Sequence, residues 1–333
     1  MQLIDKFGRK ITYLRISVTD RCNLRCIYCM PEKGIELLPH REILTYEEIL
    51  RIIFISNKIG INKFRITGGE PLVRKGLIDF LKEATKTKCD FSITTNGTLL
   101  LDYAEDIFRA GIKRINISLD TLNEKKFNEI TCTRNKLERV VNGIKKCIKL
   151  GFSPIKINVV LIDGINTDEL DDFVMFAHKN PVVVRFIERI PVETSKLFDK
   201  SKKEFLFYSE TSANATGNIE ETLAKKYDLE KVSVPGAGPG THYKFKNKSG
   251  KGYIGFILSM SKPFCSICNR LRLTADGKLK LCLGHPYEIN LKKFLRNGAT
   301  DEEIKNLFKK AAENKPEKHN FGSLKECMSK IGG

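Results

Sequence analysis

Short apolar runs alternate with amphipathic segments along the first 190 residues of the chain. Six runs rich in isoleucine, valine and phenylalanine predict β-strands at Ile11–Val18, Lys63–Thr67, Phe91–Thr95, Arg114–Leu119, Ile155–Ile162 and Val182–Ile187. Between them apolar residues recur at i, i+3 and i+4, which predicts helices near 45–59, 76–87, 99–110, 136–150 and 168–179. This alternation of strands and helices predicts a parallel sheet with crossover helices.

Six strand–helix units are too few for a complete eightfold barrel, so an open doubly wound sheet and an incomplete barrel both remain. In either fold the residues that perform chemistry gather at the carboxyl ends of the strands. The pattern changes after residue 190, because 193–217 is polar and reads as an irregular insertion or loop, and 235–240 is a linker of proline, glycine and alanine. We therefore predict a first domain over 1–234 and a second region over 235–333.

The second region contains a further strand-like run, Tyr253–Leu258, and then a hairpin. Arg270–Thr274 and Lys278–Leu283 form the predicted hairpin strands, because Asp276-Gly277 between them suits a two-residue turn. Helical patterns near 288–297 and 301–313 follow.

The composition of the chain limits its expected cellular location and its expected binding partners. The 333 residues carry a formal net charge of +18, from 58 Lys and Arg against 40 Asp and Glu. The lysines are spread along the chain and no nucleic-acid fold motif is present, so we expect a solvated basic surface and no nucleic-acid partner. No run of 18 apolar residues and no signal-peptide core occur, so we expect no membrane span. Ten cysteines without a secretory signal then predict a reducing cytoplasm.

Three cysteines, Cys22, Cys26 and Cys29, directly follow the first predicted strand in the spacing C-x-x-x-C-x-x-C. Thiolates this close together can bind one inorganic centre. A closed iron–sulfur cluster takes four thiolates, so three leave one iron open to a small molecule. Zinc sites favour two cysteine pairs set well apart, so zinc and a disulfide are the weaker alternatives.

With Tyr28 before its last cysteine, this motif resembles the signature of radical S-adenosylmethionine enzymes. The resemblance implies a six-unit partial barrel and a [4Fe–4S] cluster whose open iron chelates S-adenosylmethionine. Reductive cleavage there would give a 5′-deoxyadenosyl radical. The run Thr67-Gly68-Gly69-Glu70-Pro71 matches the motif that binds the methionine amino group through its backbone, which makes Gly69 a cofactor contact.

A second set of three cysteines lies in the C-terminal region. Cys265 and Cys268 precede the predicted hairpin, and Cys282 lies near the end of its second strand, so the hairpin brings all three together. On spacing alone, a zinc site completed by His285 is an alternative to an iron–sulfur cluster.

The run from Cys268 to Leu279, with its Asn-Arg-Leu-Arg sequence, resembles the C-terminal motif of the GTP 3′,8-cyclase family of molybdenum cofactor biosynthesis. The resemblance extends from Tyr13 to Gly333 and is weakest between about 192 and 235. It implies that a C-terminal extension closes the barrel opening and carries a second [4Fe–4S] cluster whose open iron meets guanine. It also implies that the terminal Gly332-Gly333 is needed for activity, although a terminal Gly-Gly alone would indicate only disorder.

Several predicted strands carry a basic residue inside an apolar run. Internal salt bridges with Glu70, Asp120 and Glu188 are one interpretation, because an unpaired charge inside a barrel costs several kcal/mol, roughly. Convergence on a polyphosphate is the other. The family resemblance favours the second and implies GTP contacts by Arg15, Arg65, Thr94, Lys156, Arg185, Arg270, Leu271 and Arg272. It implies S-adenosylmethionine contacts by Tyr28, Gly69, Ser118 and Ile190, where Ile190 replaces the family's methionine.

The resemblance thus implies an enzyme that converts GTP to (8S)-3′,8-cyclo-7,8-dihydroguanosine 5′-triphosphate. Its expected partners are GTP, a reducing electron donor and the next pathway enzyme, cyclic pyranopterin monophosphate synthase; a homodimer is a further hypothesis. Two alternatives stay open from the sequence. One is a peptide-modifying radical S-adenosylmethionine enzyme with an auxiliary cluster, and the other is a zinc-stabilised RNA-binding protein.

Overall fold

The computed structural model describes residues 2–190, 210–234, 239–247, 249–321 and 328–332. Gly333 and most of the 193–217 segment lie outside these ranges. Within them, no helix is both long and apolar enough to cross a membrane.

Six parallel strands follow one another in chain order, as the sequence predicts. They are β1 (Tyr13–Ser17), β2 (Lys63–Thr67), β3 (Asp90–Thr95), β4 (Ile115–Ser118), β5 (Ile155–Val160) and β6 (Val183–Ile187). The connecting helices are α1 (Tyr46–Lys58), α2 (Leu77–Thr85), α3 (Leu100–Arg109), α4 (Glu124–Thr131), α5 (Leu137–Leu150) and α6 (Leu170–Lys179). The apolar pattern did not predict α4, because this short helix buries only Phe127, Ile130 and Thr131 and begins at the side-chain cap of Asn123.

The later elements pair at both edges of this parallel core. They are α7 (Glu210–Lys226), β7 (Leu229–Val232), β8 (Thr241–Phe245), β9 (Tyr253–Ile257), β10 (Arg270–Leu273), β11 (Lys278–Lys280), β12 (Glu288–Asn290), α8 (Leu291–Arg296), α9 (Asp301–Glu313) and α10 (Met328–Ile331). Two differences from the sequence prediction stand out. Helix α7 begins inside the segment predicted as irregular, and the helix predicted over 288–297 starts only at Leu291, because Glu288–Asn290 pairs with β11.

The twelve strands of the described ranges form one sheet in the order β12-β11-β10-β1-β2-β3-β4-β5-β6-β9-β8-β7. Strand β10 lies parallel beside β1, and β9 lies parallel beside β6. The six predicted units are therefore continued by one parallel strand on each side, and the C-terminal region extends both edges of the barrel-like sheet. The predicted fold class is confirmed, whereas the domain division at residue 235 stays a prediction.

Side chains alternate between the two faces of each strand and separate an apolar layer from a charged interior. On β1, Leu14 and Ile16 are fully buried in the core beneath the helices. Arg15, between them, points to the opposite face and lines the interior cavity. Helix α1 packs on the outer face through Ile49, Ile52 and its neighbours, and a capping box fixes its start. This alternation leaves the polar residues of the strands on the concave side of the sheet.

Candidate active site

Both cysteine sets open onto one cavity of about 400 Å³ inside the barrel. The N-terminal cysteines lie in the loop after β1, and the C-terminal cysteines lie in the segment around β10 and β11. The cavity thus lies at the carboxyl ends of the parallel strands, where the sequence predicts it. Of the predicted site residues, the cavity is lined by Arg15, Cys22, Cys26, Tyr28, Cys29, Arg65, Gly69, Thr94, Ser118, Arg185, Ile190, Cys265, Cys268, Arg270, Arg272 and Cys282.

The N-terminal cysteines are free thiols whose environment suits an iron–sulfur cluster. Burial raises the pKa of Cys26 well above its ordinary value, and the nearby Cys29 and Asp120 raise it further. A cationic iron centre would relieve this penalty by stabilising the thiolates. Among the described residues, no group of three His, Cys, Asp or Glu side chains is arranged to hold a single metal ion.

The Gly68-Gly69 turn after β2 packs backbone to backbone against the start of the cysteine loop. The Gly69 amide donates to the Thr19 carbonyl at 2.7 Å, and the Glu70 amide donates to the Arg21 carbonyl at 2.8 Å. A Cβ on Gly69 would lie 2.3 Å from the Arg21 oxygen, so no other residue fits there. An ammonium group only donates hydrogen bonds, so Gly69 could hold one only through its carbonyl oxygen.

A hydrogen-bond network that the sequence analysis missed connects the cysteine loop to the residues at the end of β3. The buried Glu70 carboxylate accepts from the Asn96 amide at 2.6 Å and from the Thr95 hydroxyl at 2.8 Å. The Asn96 side-chain amide then donates to Asn23 Oδ1 at 2.8 Å and to Cys22 Sγ at 3.8 Å. Hydrogen bonds to cluster sulfurs tune reduction potential, so Asn96 is placed to influence this centre. Its position directly after a strand was the available sequence signal.

Tyr28 is fixed by a carboxylate across the cavity wall. Its hydroxyl donates to Asp120 Oδ2 at 2.6 Å, and the Val160 amide donates to Asp120 Oδ1 at 2.8 Å. Burial raises the pKa of Asp120 to about 6, although these two hydrogen bonds act in the opposite direction. The ring of Tyr28 therefore has a fixed position beside Cys26 and Cys29, and Ser118 and Ile190 line the same cavity.

Three arginines stand side by side on adjacent strands in the cavity. Arg15 on β1 is in register with Arg65 on β2 and with Arg272 on β10. Like charges directly opposite each other on a sheet are destabilising. Burial lowers the pKa of Arg15 well below its ordinary value, and Arg272 and Arg65 lower it further. Burial and the charge of Arg65 likewise lower the pKa of Arg185 to about 9.

Two predicted GTP contacts do not line the cavity. Lys156 is only 3% exposed, and burial, with Arg185 as the next cause, lowers the pKa of its ammonium to about 6. Asn158, two residues further along β5, does line the cavity, so Lys156 lies one step towards the amino end of the strand. Leu271 is fully buried in the apolar core, because it alternates with the inward-facing Arg270 and Arg272.

The carboxylates considered as internal ion-pair partners have other hydrogen bonds. Glu70 is bonded as described above, and Asp120 accepts from Tyr28 and Val160. Glu188 accepts from the Met260 and Ser261 amides at 2.6 and 3.0 Å. These bonds show that the three carboxylates shape loops around the cavity.

Two buried cations that the sequence analysis missed bind backbone carbonyls next to the C-terminal cysteines. Lys315, 1% exposed, donates to the Arg270 carbonyl at 2.9 Å and to the Leu281 carbonyl at 2.5 Å. Arg9 donates to the Cys265 carbonyl at 2.8 Å. Although burial opposes it, the charges of Lys315 and Arg270 lower the pKa of Cys268 to about 7. A thiol of this kind is readily deprotonated, as a cluster ligand must be.

Gly332 lies at the opening of the barrel, beside β1, β2 and β10. The Gly332 carbonyl accepts from the Arg272 guanidinium at 3.3 Å. Gly332 has φ of +74°, and a Cβ there would lie 3.0 Å from Ser17 Cβ and from Thr67 Cγ2. The penultimate glycine of the predicted tail thus lies against the carboxyl ends of β1 and β2.

Comparison with known proteins gives concordant matches. Residues 16–177 match the Radical SAM superfamily, and residues 182–321 match the family Molybdenum Cofactor Synthesis C. A GTP 3′,8-cyclase of Thermodesulfovibrio yellowstonii is 46% identical over 316 residues, which are 94% of each chain. A GTP 3′,8-cyclase of Peptoclostridium acidaminophilum is 45% identical over 338 residues, 99% of this chain and 98% of the relative. Among solved structures, Streptococcus suis SuiB bound to S-adenosylmethionine shares the fold, with a TM-score of 0.63 at 16% identity over 91% of this chain and 69% of that chain.

Proposed function

The chain belongs to the GTP 3′,8-cyclase family of radical S-adenosylmethionine enzymes, and from this premise we propose how its cavity holds the substrate and cofactors. The enzyme converts GTP to (8S)-3′,8-cyclo-7,8-dihydroguanosine 5′-triphosphate, the first step of molybdenum cofactor biosynthesis. Its cofactors are S-adenosylmethionine and two [4Fe–4S] clusters. When bound, the cofactors supply the one-electron chemistry that takes the hydrogen atom from C3′ of the ribose. The protein supplies orientation and shielding from water.

The row formed by Arg272, Arg15 and Arg65 is the observation that carries the substrate assignment. Three cations in register repel one another in the absence of an anion, and a triphosphate brings several acceptor oxygens that guanidinium groups bind in pairs. Arg185 extends this positive surface from β6, and Thr94 lines the cavity between them. We therefore place the triphosphate of GTP on this row.

The guanine end of the substrate then points towards the C-terminal cysteines. Cys265, Cys268 and Cys282 would hold the second cluster, and Arg270 lies beside them. The rings of His319 and Phe321 stack at 4.0 Å between centroids and line the same part of the cavity. An aromatic pair next to an open cluster iron suits a planar purine.

S-adenosylmethionine is assigned to the opposite end, beside Cys22, Cys26 and Cys29. The Gly69 carbonyl would accept from its amino group, because an ammonium group only donates hydrogen bonds. Tyr28, Ser118 and Ile190 would contact the rest of the cofactor. A branched aliphatic side chain at 190 preserves apolar packing against adenine.

The two predicted contacts outside the cavity have a more limited role in this proposal. Lys156 would take up a proton beneath the phosphate site once the triphosphate supplies negative charge, and Leu271 could contact the nucleotide only through its backbone. The Gly332-Gly333 tail would enclose the substrate from the barrel opening, where Gly332 is bonded to Arg272.

The remaining partners follow from the chemistry. The N-terminal cluster needs a low-potential electron donor, and the product needs the next pathway enzyme, cyclic pyranopterin monophosphate synthase. The thiol ligands require a reducing compartment, which supports the cytoplasm as the location. A homodimer remains a hypothesis.

The test is release of 5′-deoxyadenosine from anaerobically reconstituted protein given dithionite and S-adenosylmethionine, with and without GTP. We expect release that rises strongly with GTP, and loss of release in Cys26→Ala. Cys147→Ala is the matched control, because Cys147 is buried on α5 away from the cavity, and it should keep activity. Release indifferent to GTP would refute the substrate assignment and favour a peptide-modifying enzyme. Equal activity of the Cys26 variant would refute the cluster assignment.

A further inference from the structure

Tyr13 has a buried hydroxyl that nothing in the described structure satisfies. Its oxygen has no hydrogen-bond partner among the described residues, although the side chain lines the catalytic cavity. A buried polar group left unsatisfied destabilises a protein, so its presence in the cavity wall requires a reason.

The surroundings of this hydroxyl explain why its proton has no acceptor among the neighbouring side chains. Tyr13 begins β1, in register with Arg270 on β10 and Lys63 on β2. The Arg65 guanidinium lies 5.4 Å from the centre of the Tyr13 ring. Guanidinium and ammonium groups donate hydrogen bonds and accept none. These neighbours therefore offer no acceptor for the phenolic proton.

A ligand rich in acceptors would complete the arrangement. Phosphate oxygens accept hydrogen bonds, and the row of Arg272, Arg15 and Arg65 lies two positions further along the same three strands, on the same face of the sheet. We propose that Tyr13 is a substrate-binding residue whose hydroxyl donates to a phosphate oxygen of the GTP triphosphate. This inference rests on the function proposed above, because it requires GTP in the cavity.

An alternative role is purely structural, in which the aromatic ring packs and the hydroxyl is incidental. Tyr46 offers a matched comparison, since its hydroxyl is also buried without a hydrogen-bond partner among the described residues. The Arg74 guanidinium lies 4.0 Å from its ring centre, and its ring stacks on Phe80 at 4.7 Å. Tyr46 does not line the cavity, so it has the same local chemistry without access to substrate.

The experiment compares the anaerobically reconstituted wild type with Tyr13→Phe and Tyr46→Phe by calorimetric titration with GTP, inorganic tripolyphosphate and guanosine, in the absence of reductant. We expect Tyr13→Phe to raise the Kd for GTP and for tripolyphosphate about tenfold, the usual effect of losing a hydrogen bond to a charged group. Guanosine binding and iron content should stay unchanged. Tyr46→Phe should leave all three affinities unchanged. The melting temperature of ligand-free Tyr13→Phe should equal or exceed that of the wild type, because the lost hydroxyl has no hydrogen-bond partner within the described ranges.

The outcomes separate this inference from the function on which it rests. A wild type that binds neither GTP nor tripolyphosphate would refute the proposed function itself. Wild-type GTP binding with an unchanged Kd in Tyr13→Phe would overturn the role of Tyr13 alone. Weakened GTP binding with unchanged tripolyphosphate binding would place the hydroxyl on the ribose or the purine and overturn the phosphate contact. Weakening by Tyr46→Phe of similar size would show a general packing effect and also overturn it.

Discussion

Neutralising the central arginine of the cavity should have opposite effects on stability and on substrate binding. Arg15 lies in register between Arg65 and Arg272. Burial, followed by the charges of Arg272 and Arg65, holds its pKa well below the ordinary value. In the ligand-free folded protein, repulsion among these charges therefore lowers the free energy of unfolding. Arg15→Gln removes the charge and keeps a polar, although shorter, side chain.

The size of the effect follows from the spacing of the strands. Adjacent strands lie about 4.8 Å apart, and splayed side chains place charges at about 8 Å. Two unit charges at that distance repel by about 2 kcal/mol at an effective dielectric constant of about 20. Arg15 has two such neighbours, and the shorter side chain loses packing worth about 1–2 kcal/mol. We therefore expect the ligand-free variant to be more stable by about 2 kcal/mol. The gain should shrink as salt screens the repulsion.

The same substitution should weaken GTP binding. A hydrogen bond to a charged group contributes about 1.5–3 kcal/mol, so the Kd for GTP should rise by about tenfold to about 150-fold. Anaerobic denaturant titration measures the stability, and calorimetric titration measures the affinity. GTP should also stabilise the wild type more than the variant, because a ligand present at about 100 times its Kd adds about 2.7 kcal/mol.

A second buried arginine provides a control, because its replacement should destabilise the protein where that of Arg15 should stabilise it. Arg9 Nε lies 2.5 Å from Asp5 Oδ2 and belongs to an ion pair. Arg9→Gln should destabilise the protein by about 3–5 kcal/mol, since it leaves a buried carboxylate without its partner. If Arg15→Gln destabilises the ligand-free protein as Arg9→Gln does, and GTP binds it with unchanged affinity, then the reasoning from the arginine row is wrong.

Three further predictions concern the tail, the second cluster and pH. Gly332→Ala should lower GTP turnover at least tenfold with little change in melting temperature, because its Cβ would meet Ser17 and Thr67 and displace only the tail; wild-type turnover in a product assay would contradict this. Lys315→Met should lower bound iron towards one cluster and cost about 2–4 kcal/mol of unfolding free energy, since two buried carbonyls lose their donor; unchanged iron and stability would exclude this role. Burial, followed by Arg185 and Lys156, lowers the pKa of His242 to about 4. The unfolded state therefore binds more protons between about pH 6.5 and 4, and stability should fall by about 3 kcal/mol as pH drops through this window. Because buried Asp120 also titrates in this range in both proteins, the test is the difference between them. Denaturant unfolding across this pH range should show a steeper loss of stability with falling pH in the wild type than in His242→Asn, and equal slopes would refute the assignment.

Much of the active site could be predicted because its residues are close together in the chain or on one strand. The spacing of Cys22, Cys26 and Cys29 places three thiols in one loop whatever the rest of the protein does. Alternation along a strand separates Arg15 from the apolar Leu14 and Ile16, so a charged interior could be predicted from β1 alone. The six strand–helix units follow from hydrophobic periodicity in the same way.

Only the tertiary structure decided which of these residues meet. The register of Arg272 with Arg15 depends on the pairing of β10 with β1, which joins residues at opposite ends of the chain and leaves no local pattern. The same holds for Lys315, whose isolated position in the sequence gave no sign that it bonds the strands of the second cysteine set. Lys156 and Leu271 show that a place on a barrel strand does not by itself put a side chain in the cavity. Each lies on a strand of the barrel, but its depth and the face on which it lies keep its side chain out of the cavity.

The sequence by itself therefore determined the chemistry of the protein: two sets of three thiols, a barrel-like parallel sheet and a basic interior. The tertiary structure decided the arrangement, because pairing of distant strands brings separate cations into one row. The same pairing leaves the Tyr13 hydroxyl beside that row without an acceptor in the part of the chain that the structure describes. The spacing of residues along the chain indicates which side-chain groups are available to bind a ligand. Long-range strand register decides which of them reach the ligand together.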